Sequence, residues 1–285
     1  MTSTLKKIFR TLIYLLVFYG LVNLSFFIFH GVKNNPELHQ ADSQNWIATS
    51  TGALHINTYK NIHSPDSINL VIVIHGDAPF VNPEYQYLMA KKLASKNKNT
   101  VAIGILRPGY TDSGNNTSNG VKGFTTGDNY TPSVINEIAE LILQLKKMYH
   151  PINTILIGHS GGSAISGDLI GMNPDLVDKA VLVSCPSNVP KWRKYMFSRQ
   201  LLNLLWLFPA KSISPLDVAG NISERTEVVI IVGEKDETTP LFFSREYHEK
   251  LISLNKHSKL VIIPGKGHEI LMDEMVENEV RLLMK

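Results

Sequence analysis

Cysteine is almost absent from this chain: Cys185 is the only one, so no intramolecular disulfide can form, and no Cys/His cluster has the spacing of a structural zinc site. The fold must therefore stand on packing alone. Also missing is any long basic block. The 28 Lys and Arg are interspersed with 25 Asp and Glu for a formal charge of +3, which leaves nucleic acid off the list of expected partners. Charged residues are sparse at 19%, while 44% are hydrophobic, so neither disorder nor a fibre fits and a sizeable core can be buried. At 285 residues the chain fits one domain around one sheet. Cys185 itself ends the apolar run from Ala180 and reads as a small buried thiol rather than a reactive one.

One long hydrophobic run is present. Leu12 to Phe29 is almost wholly apolar, interrupted by Tyr14, Tyr19, Gly20, Asn23 and Ser25, and Lys6, Lys7 and Arg10 precede it. That length is close to the ~20 residues of a spanning helix. The basic flank orients it with a cytoplasmic N-terminus. Residues 1–30 are thus expected to be a signal anchor and transmembrane segment, 31–45 a linker, and 46–285 a domain outside the cytoplasm. Secretion after signal cleavage is the alternative, disfavoured because the run ends Phe26-Phe27-Ile28-Phe29-His30 without small residues.

After a candidate hairpin at Trp46–Ile62, turning at Ser50-Thr51-Gly52, the pattern becomes short β-branched runs separated by helix-like stretches. The runs are at 68–74, 100–106, 153–157, 179–184, 227–232 and 259–263; the stretches are at 84–96, 133–149, 162–171, 241–254 and 269–284. Alternation of this kind predicts an α/β fold with a mostly parallel central sheet and helices on both faces. Ligands bind such sheets at the carboxyl ends of the strands.

The run ending at Ile157 leads directly into Gly158-His159-Ser160-Gly161-Gly162 and then a helical stretch, which is G-x-S-x-G in its strand–turn–helix context. A serine hydroxyl needs a base to take its proton and an acid to orient that base. Of ten histidines, only His268 follows the last buried run in a glycine-rich loop, Pro264-Gly265-Lys266-Gly267-His268. Asp236 follows the run ending at Val232, with Glu234 and Glu237 as neighbouring carboxylates. The order Ser160, Asp236, His268 suits a triad.

With those motifs, together with His75-Gly76 and Arg107-Pro108-Gly109-Tyr110 after the first two central runs, the body resembles the α/β-hydrolase superfamily of serine esterases, lipases and peptidases. The resemblance implies an oxyanion hole made by the backbone N–H groups of Asp77 and Gly161. It also implies that Asp77 stands where many relatives carry glycine or an apolar residue, and that a carboxylate there must point away from the oxyanion. His75 is expected to tie down its loop rather than react.

Residues 112–131 read as a long Gly/Asn-rich loop, either shaping the site or lying on the surface. Residues 186–223 hold the position of a small cap, with Trp192, Arg193, Tyr195, Phe197, Trp206 and Phe208 among leucines; these could form a lid, an ordinary core, or a patch leaning on a membrane. The expected activity is hydrolysis of a carboxylic ester, or of an amide or thioester, in a small acyl substrate, through an acyl-enzyme and without metal or organic cofactor. The alternatives are a peptidase of the prolyl aminopeptidase kind, whose usual His-Gly-Gly-Pro-Gly loop is replaced here by His75-Gly76-Asp77-Ala78-Pro79, and a tethered binding protein on the same fold.

Overall fold

The computed structural model describes residues 3–29, 45–79, 81–200, 206 and 209–285. Helix α1, Ser3–Phe29, precedes the body. Among the described residues no helix is long and apolar enough to cross a membrane. Residues 31–44 of the expected linker, and Phe208, lie outside the described residues.

The body is one eight-stranded sheet in the order β1-β2-β4-β3-β5-β6-β7-β8. Strands β1 (Trp46–Thr49) and β2 (Gly52–Asn61) form the expected hairpin, and β2 continues far enough to pair antiparallel with β4. The remaining strands are all parallel: β3 (Asn69–Ile74), β4 (Thr100–Ile105), β5 (Asn153–His159), β6 (Lys179–Val183), β7 (Glu227–Gly233) and β8 (Ser258–Ile263).

Continuous β-branched runs form because both faces of the sheet are covered. Leu70, Ile72 and Ile74 of β3 face one core, with α3 (Pro132–Tyr149), α4 (Gly161–Met172) and α7 (Leu241–Ser253) packed against it. Val71 and Val73 face the other, built with α2 (Tyr85–Lys96) and α8 (Glu274–Leu283). The two short cap elements are α5 (Val189–Arg199) and α6 (Pro215–Val218).

One boundary differs from the sequence pattern. The last helix begins at Glu274 rather than Glu269, because Asp273 caps it, accepting from the Met275 N–H at 3.0 Å. Ile270 and Leu271 before the cap are buried in loop form. The segment 268–273 is thereby free to carry His268 over the strand ends. Cys185 is buried, and burial pushes its thiol up to about 12, as an inert thiol requires.

Candidate active site

Ser160 follows β5 directly, with φ 52° and ψ −120°. A non-glycine residue in such a conformation costs on the order of 1–3 kcal/mol and persists only where its surroundings enforce it. Here the Ser160 N–H donates to the Val183 carbonyl at 2.9 Å, which ties the elbow to the neighbouring strand. The turn is closed by backbone packing: a Cβ at Gly158 would lie 2.3 Å from the Gly162 carbonyl oxygen, and one at Gly162 would lie 2.4 Å from those of Ile74 and His75. Glycine is required at both places.

The structure brings the three triad candidates together. His268 Nε2 lies 3.0 Å from Ser160 Oγ, and its Nδ1 lies 2.9 and 3.1 Å from the two Asp236 oxygens. A carboxylate only accepts, so Nδ1 carries the proton and Nε2 accepts from the serine hydroxyl, the arrangement a general base needs. Asp236 is held by the Thr238 and Thr239 N–H groups at 2.9 and 2.7 Å and by the Thr239 hydroxyl at 2.8 Å. Burial alone would raise its pKa, but the bonds to His268 and Thr239 outweigh it and keep Asp236 below the usual carboxylate range. Glu234 instead accepts from the Gly265 N–H, and Glu237 pairs with Arg199, so neither competes for His268.

The Asp77 side chain is buried and points to Arg107 and the loop after it. Its Oδ1 pairs with Arg107 Nη1 at 2.9 Å; its Oδ2 accepts from the Gly127 N–H at 2.8 Å and from the Tyr130 hydroxyl. The same carboxylate lies against Gly161, where a Cβ would approach its Oδ1 to 2.8 Å. Burial opposes the Arg107 charge, but Tyr110, Asp77 and Tyr130 more than offset it and leave the guanidinium firmly protonated. The charge of Asp77 is thus neutralised by an ion pair. Asp77 lines the same cleft as Ser160, and Gly161 follows Ser160 as the first residue of α4.

His75 is structural, as expected. Its Nδ1 donates to the Gly76 carbonyl at 2.7 Å and its Nε2 accepts from the Arg107 N–H at 3.1 Å. Burial, then the nearby Arg107 charge, holds it well below its ordinary pKa.

A second histidine had no assigned role from sequence. His159 Nε2 faces the His268 carbonyl at 3.2 Å, so Nε2 carries the proton and Nδ1 accepts from the Tyr85 hydroxyl at 3.2 Å; Tyr85 in turn accepts from the Gly76 N–H. The chain Gly76–Tyr85–His159–His268 joins the loop after β3, the elbow and the loop after β8. Burial, followed by the adjacent His268 ring, lowers His159 to about 4, so it stays neutral. His159, His268 and Glu269 offer ligand atoms within 4.8 Å of one another. Every ring nitrogen of the two histidines is already engaged, so a metal would have to dismantle these bonds.

The reacting atoms open into a cleft of about 680 Å³. Tyr85 and Leu88 line it, and so does Thr126 from the 112–131 loop, so this loop shapes the site. Trp192, Met196 and Trp206 form the cap side. Trp192 is buried, its indole N–H donating to the Thr238 carbonyl at 2.7 Å, and Arg193 bonds Thr125 and Thr126. Cap, loop and acid turn are thereby stitched together. Tyr85, Arg107, Tyr130 and Thr239 carried no periodic signal; only the proximity of Thr239 to Asp236 in sequence could have suggested its role.

With its polar chemistry gathered at the carboxyl ends of a mostly parallel sheet and centred on an elbow serine, the molecule falls in the class of serine hydrolases of the α/β-hydrolase superfamily. The chain belongs to the prolyl oligopeptidase family, which matches residues 124–285, a segment that includes Ser160, Asp236 and His268. No curated protein matches it in sequence. Among solved structures it is similar to the acylaminoacyl peptidase of Pyrococcus horikoshii, at 15% identity and a TM-score of 0.61 over 84% of this chain. It spans only 40% of that protein's length. Est1E of Butyrivibrio proteoclasticus, solved with ferulic acid, is 19% identical with a TM-score of 0.61, covering 84% of this chain and 97% of Est1E. An esterase of Pyrococcus furiosus is 16% identical with a TM-score of 0.59, covering 84% and 88%.

Proposed function

We propose that this serine hydrolase cleaves a carboxylic ester of a small acyl substrate through an acyl-enzyme on Ser160. The observation that carries the reading is the hydrogen-bonded line from Ser160 Oγ through His268 to Asp236. Ser160 Oγ attacks the carbonyl carbon as His268 Nε2 takes its proton, and the N–H groups of Asp77 and Gly161 receive the developing oxyanion. Collapse expels the alcohol, which takes the proton back from His268; water then repeats the sequence on the acyl-enzyme. Each oxyanion donor of this kind contributes about 2.7–4 kcal/mol to the lowered barrier. Asp236 keeps the imidazole in its working tautomer.

Family membership favours a second reading, in which the scissile bond is an amide in a peptide or acylamino acid. A matched pair of p-nitrophenyl esters and p-nitroanilides with the same acyl groups separates the two. Ester hydrolysis with the anilides left intact is the expected result; anilide turnover at equal or greater kcat/KM establishes the peptidase.

The N-terminal segment is proposed to tether the catalytic body to a membrane with that body outside the cytoplasm, on the sequence of Leu12–Phe29 and its basic flank. Alkaline carbonate extraction of membranes tests it: the full chain is expected in the pellet, and release into the supernatant contradicts an anchor.

A further inference from the structure

Hydrolysis through Ser160, His268 and Asp236 makes no direct use of His159, the buried residue that immediately precedes the nucleophile. Its ring centroid lies 5.2 Å from that of His268, and its Nε2 faces the His268 carbonyl oxygen at 3.2 Å. That oxygen also accepts from the Ile270 N–H and from the Ser184 hydroxyl, each at 3.0 Å. The Ile270 bond is internal to the loop that carries the base and moves with it. The other two donors stand at the ends of β5 and β6, and they tie the His268 backbone to the sheet beside the elbow.

The tie from His159 depends on its tautomer. A carbonyl only accepts, so Nε2 must hold the proton and Nδ1 must be bare; the group that donates to Nδ1 is the Tyr85 hydroxyl at 3.2 Å. In the opposite tautomer two lone pairs would face each other at the His268 carbonyl. The Tyr85 oxygen is held in turn by the Gly76 N–H, from which it accepts. A phenol has one proton to give. Tyr85 lines the cleft, but with that proton committed to His159 its hydroxyl acts on the ring rather than on a substrate. Burial keeps His159 neutral, as a ring that donates at one nitrogen and accepts at the other must be.

Resting on the acyl-enzyme reading, we propose that Tyr85 and His159 are positioning residues for the general base: Tyr85 sets the tautomer of His159, and the His159 Nε2–H holds the His268 backbone where its imidazole meets Ser160 Oγ. Both act through His268 and not on the reacting atoms. Misplacing a catalytic group by about 1 Å costs on the order of a hundredfold in rate. Loss of the tie is therefore read in kcat and in the reactivity of Ser160, with KM held.

The test uses the full chain and two amides that each copy one ring nitrogen. In H159Q the amide N–H stands in for Nε2; in H159N the amide oxygen stands in for Nδ1. Ester kinetics, the rate of labelling by a fluorophosphonate and the thermal midpoint are measured for each. H159N is expected to lower kcat and the labelling rate at least about tenfold with KM within about twofold, and H159Q to recover both to within about threefold of wild type. Y85F is expected to lower kcat several-fold in the wild-type background and by less than about twofold in H159Q, since an amide has no tautomer to set. A histidine that only supports the fold predicts another pattern, in which kcat follows the thermal midpoint and the two amides behave alike. An equal loss in H159N and H159Q, whether or not they melt lower, overturns the proposal and leaves the hydrolase intact. So does wild-type kcat in H159N, or a Y85F effect as large in H159Q as in wild type. Absence of hydrolysis in the wild-type chain, with Ser160 unreactive toward the fluorophosphonate, removes the acyl-enzyme reading and this inference with it.

Discussion

Asp168 lies on the helix that begins at the nucleophile, and both of its carboxylate oxygens are buried without a partner among the described residues. Burial first, and then the nearby Asp217 charge, raises its pKa well above the ordinary value, so the folded protein keeps it neutral. In the unfolded chain it ionises near about 3.9. Above that pH the unfolded state binds fewer protons, and stability falls as pH rises toward the folded pKa, by up to about 1.4 kcal/mol per pH unit. Asp168→Asn removes the titration. Its stability relative to wild type, read from urea midpoints, is expected to improve between about pH 5 and about pH 8; a constant difference across that range contradicts a neutral Asp168. Nothing in the sequence flagged this residue, since burial of one polar side chain on a wholly buried helix leaves no periodic trace. Ser160, Asp236 and His268 were legible because each sits beside a strand end, marked by glycines. The direction of the Asp77 carboxylate was not, because its partners Arg107, Gly127 and Tyr130 come from distant segments joined only by folding.

Helix α4 approaches β3 more closely than any side chain would permit. Gly162 rests on the carbonyl oxygens of Ile74 and His75, so the helix that starts at the nucleophile is seated on the strand that leads into the 75–79 loop. This contact holds the turn at Ser160 against the strand that leads to Asp77. Gly162→Ala is expected to destabilise the fold by about 1–3 kcal/mol or more, and to lower kcat along with it, because both neighbours are backbone and neither can swing aside. Thermal denaturation and ester kinetics check it; an alanine variant with unaltered melting and turnover would show that the seat is looser than the contact implies. The elements themselves were read well from sequence, since strands buried on both faces give unbroken β-branched runs. Their ends were less legible: the extended β2 and the late start of α8 depend on pairing with β4 and on the cap at Asp273, neither of which is a property of the local run.

At the scale of the whole molecule, the sheet order places β3, β5, β7 and β8 so that loops far apart in sequence converge on one cleft. The cap and the 112–131 loop close over it and are tied to the acid turn by Trp192 and to Asp77 by Gly127. Alternating runs announced such a sheet, and chain order announced the triad, but the roof of the cleft needed the folded structure. The proposed hydrolysis depends on one activated nucleophile, Ser160 Oγ. Labelling the purified protein with a fluorophosphonate and locating the adduct by peptide mass spectrometry tests this directly, with Ser160→Ala as the control. Adduct on Ser160, its absence in Ser160→Ala, and a loss of ester hydrolysis by at least about a thousandfold are predicted. An unlabelled Ser160, or a Ser160→Ala protein that hydrolyses the ester as well as wild type, would contradict the account.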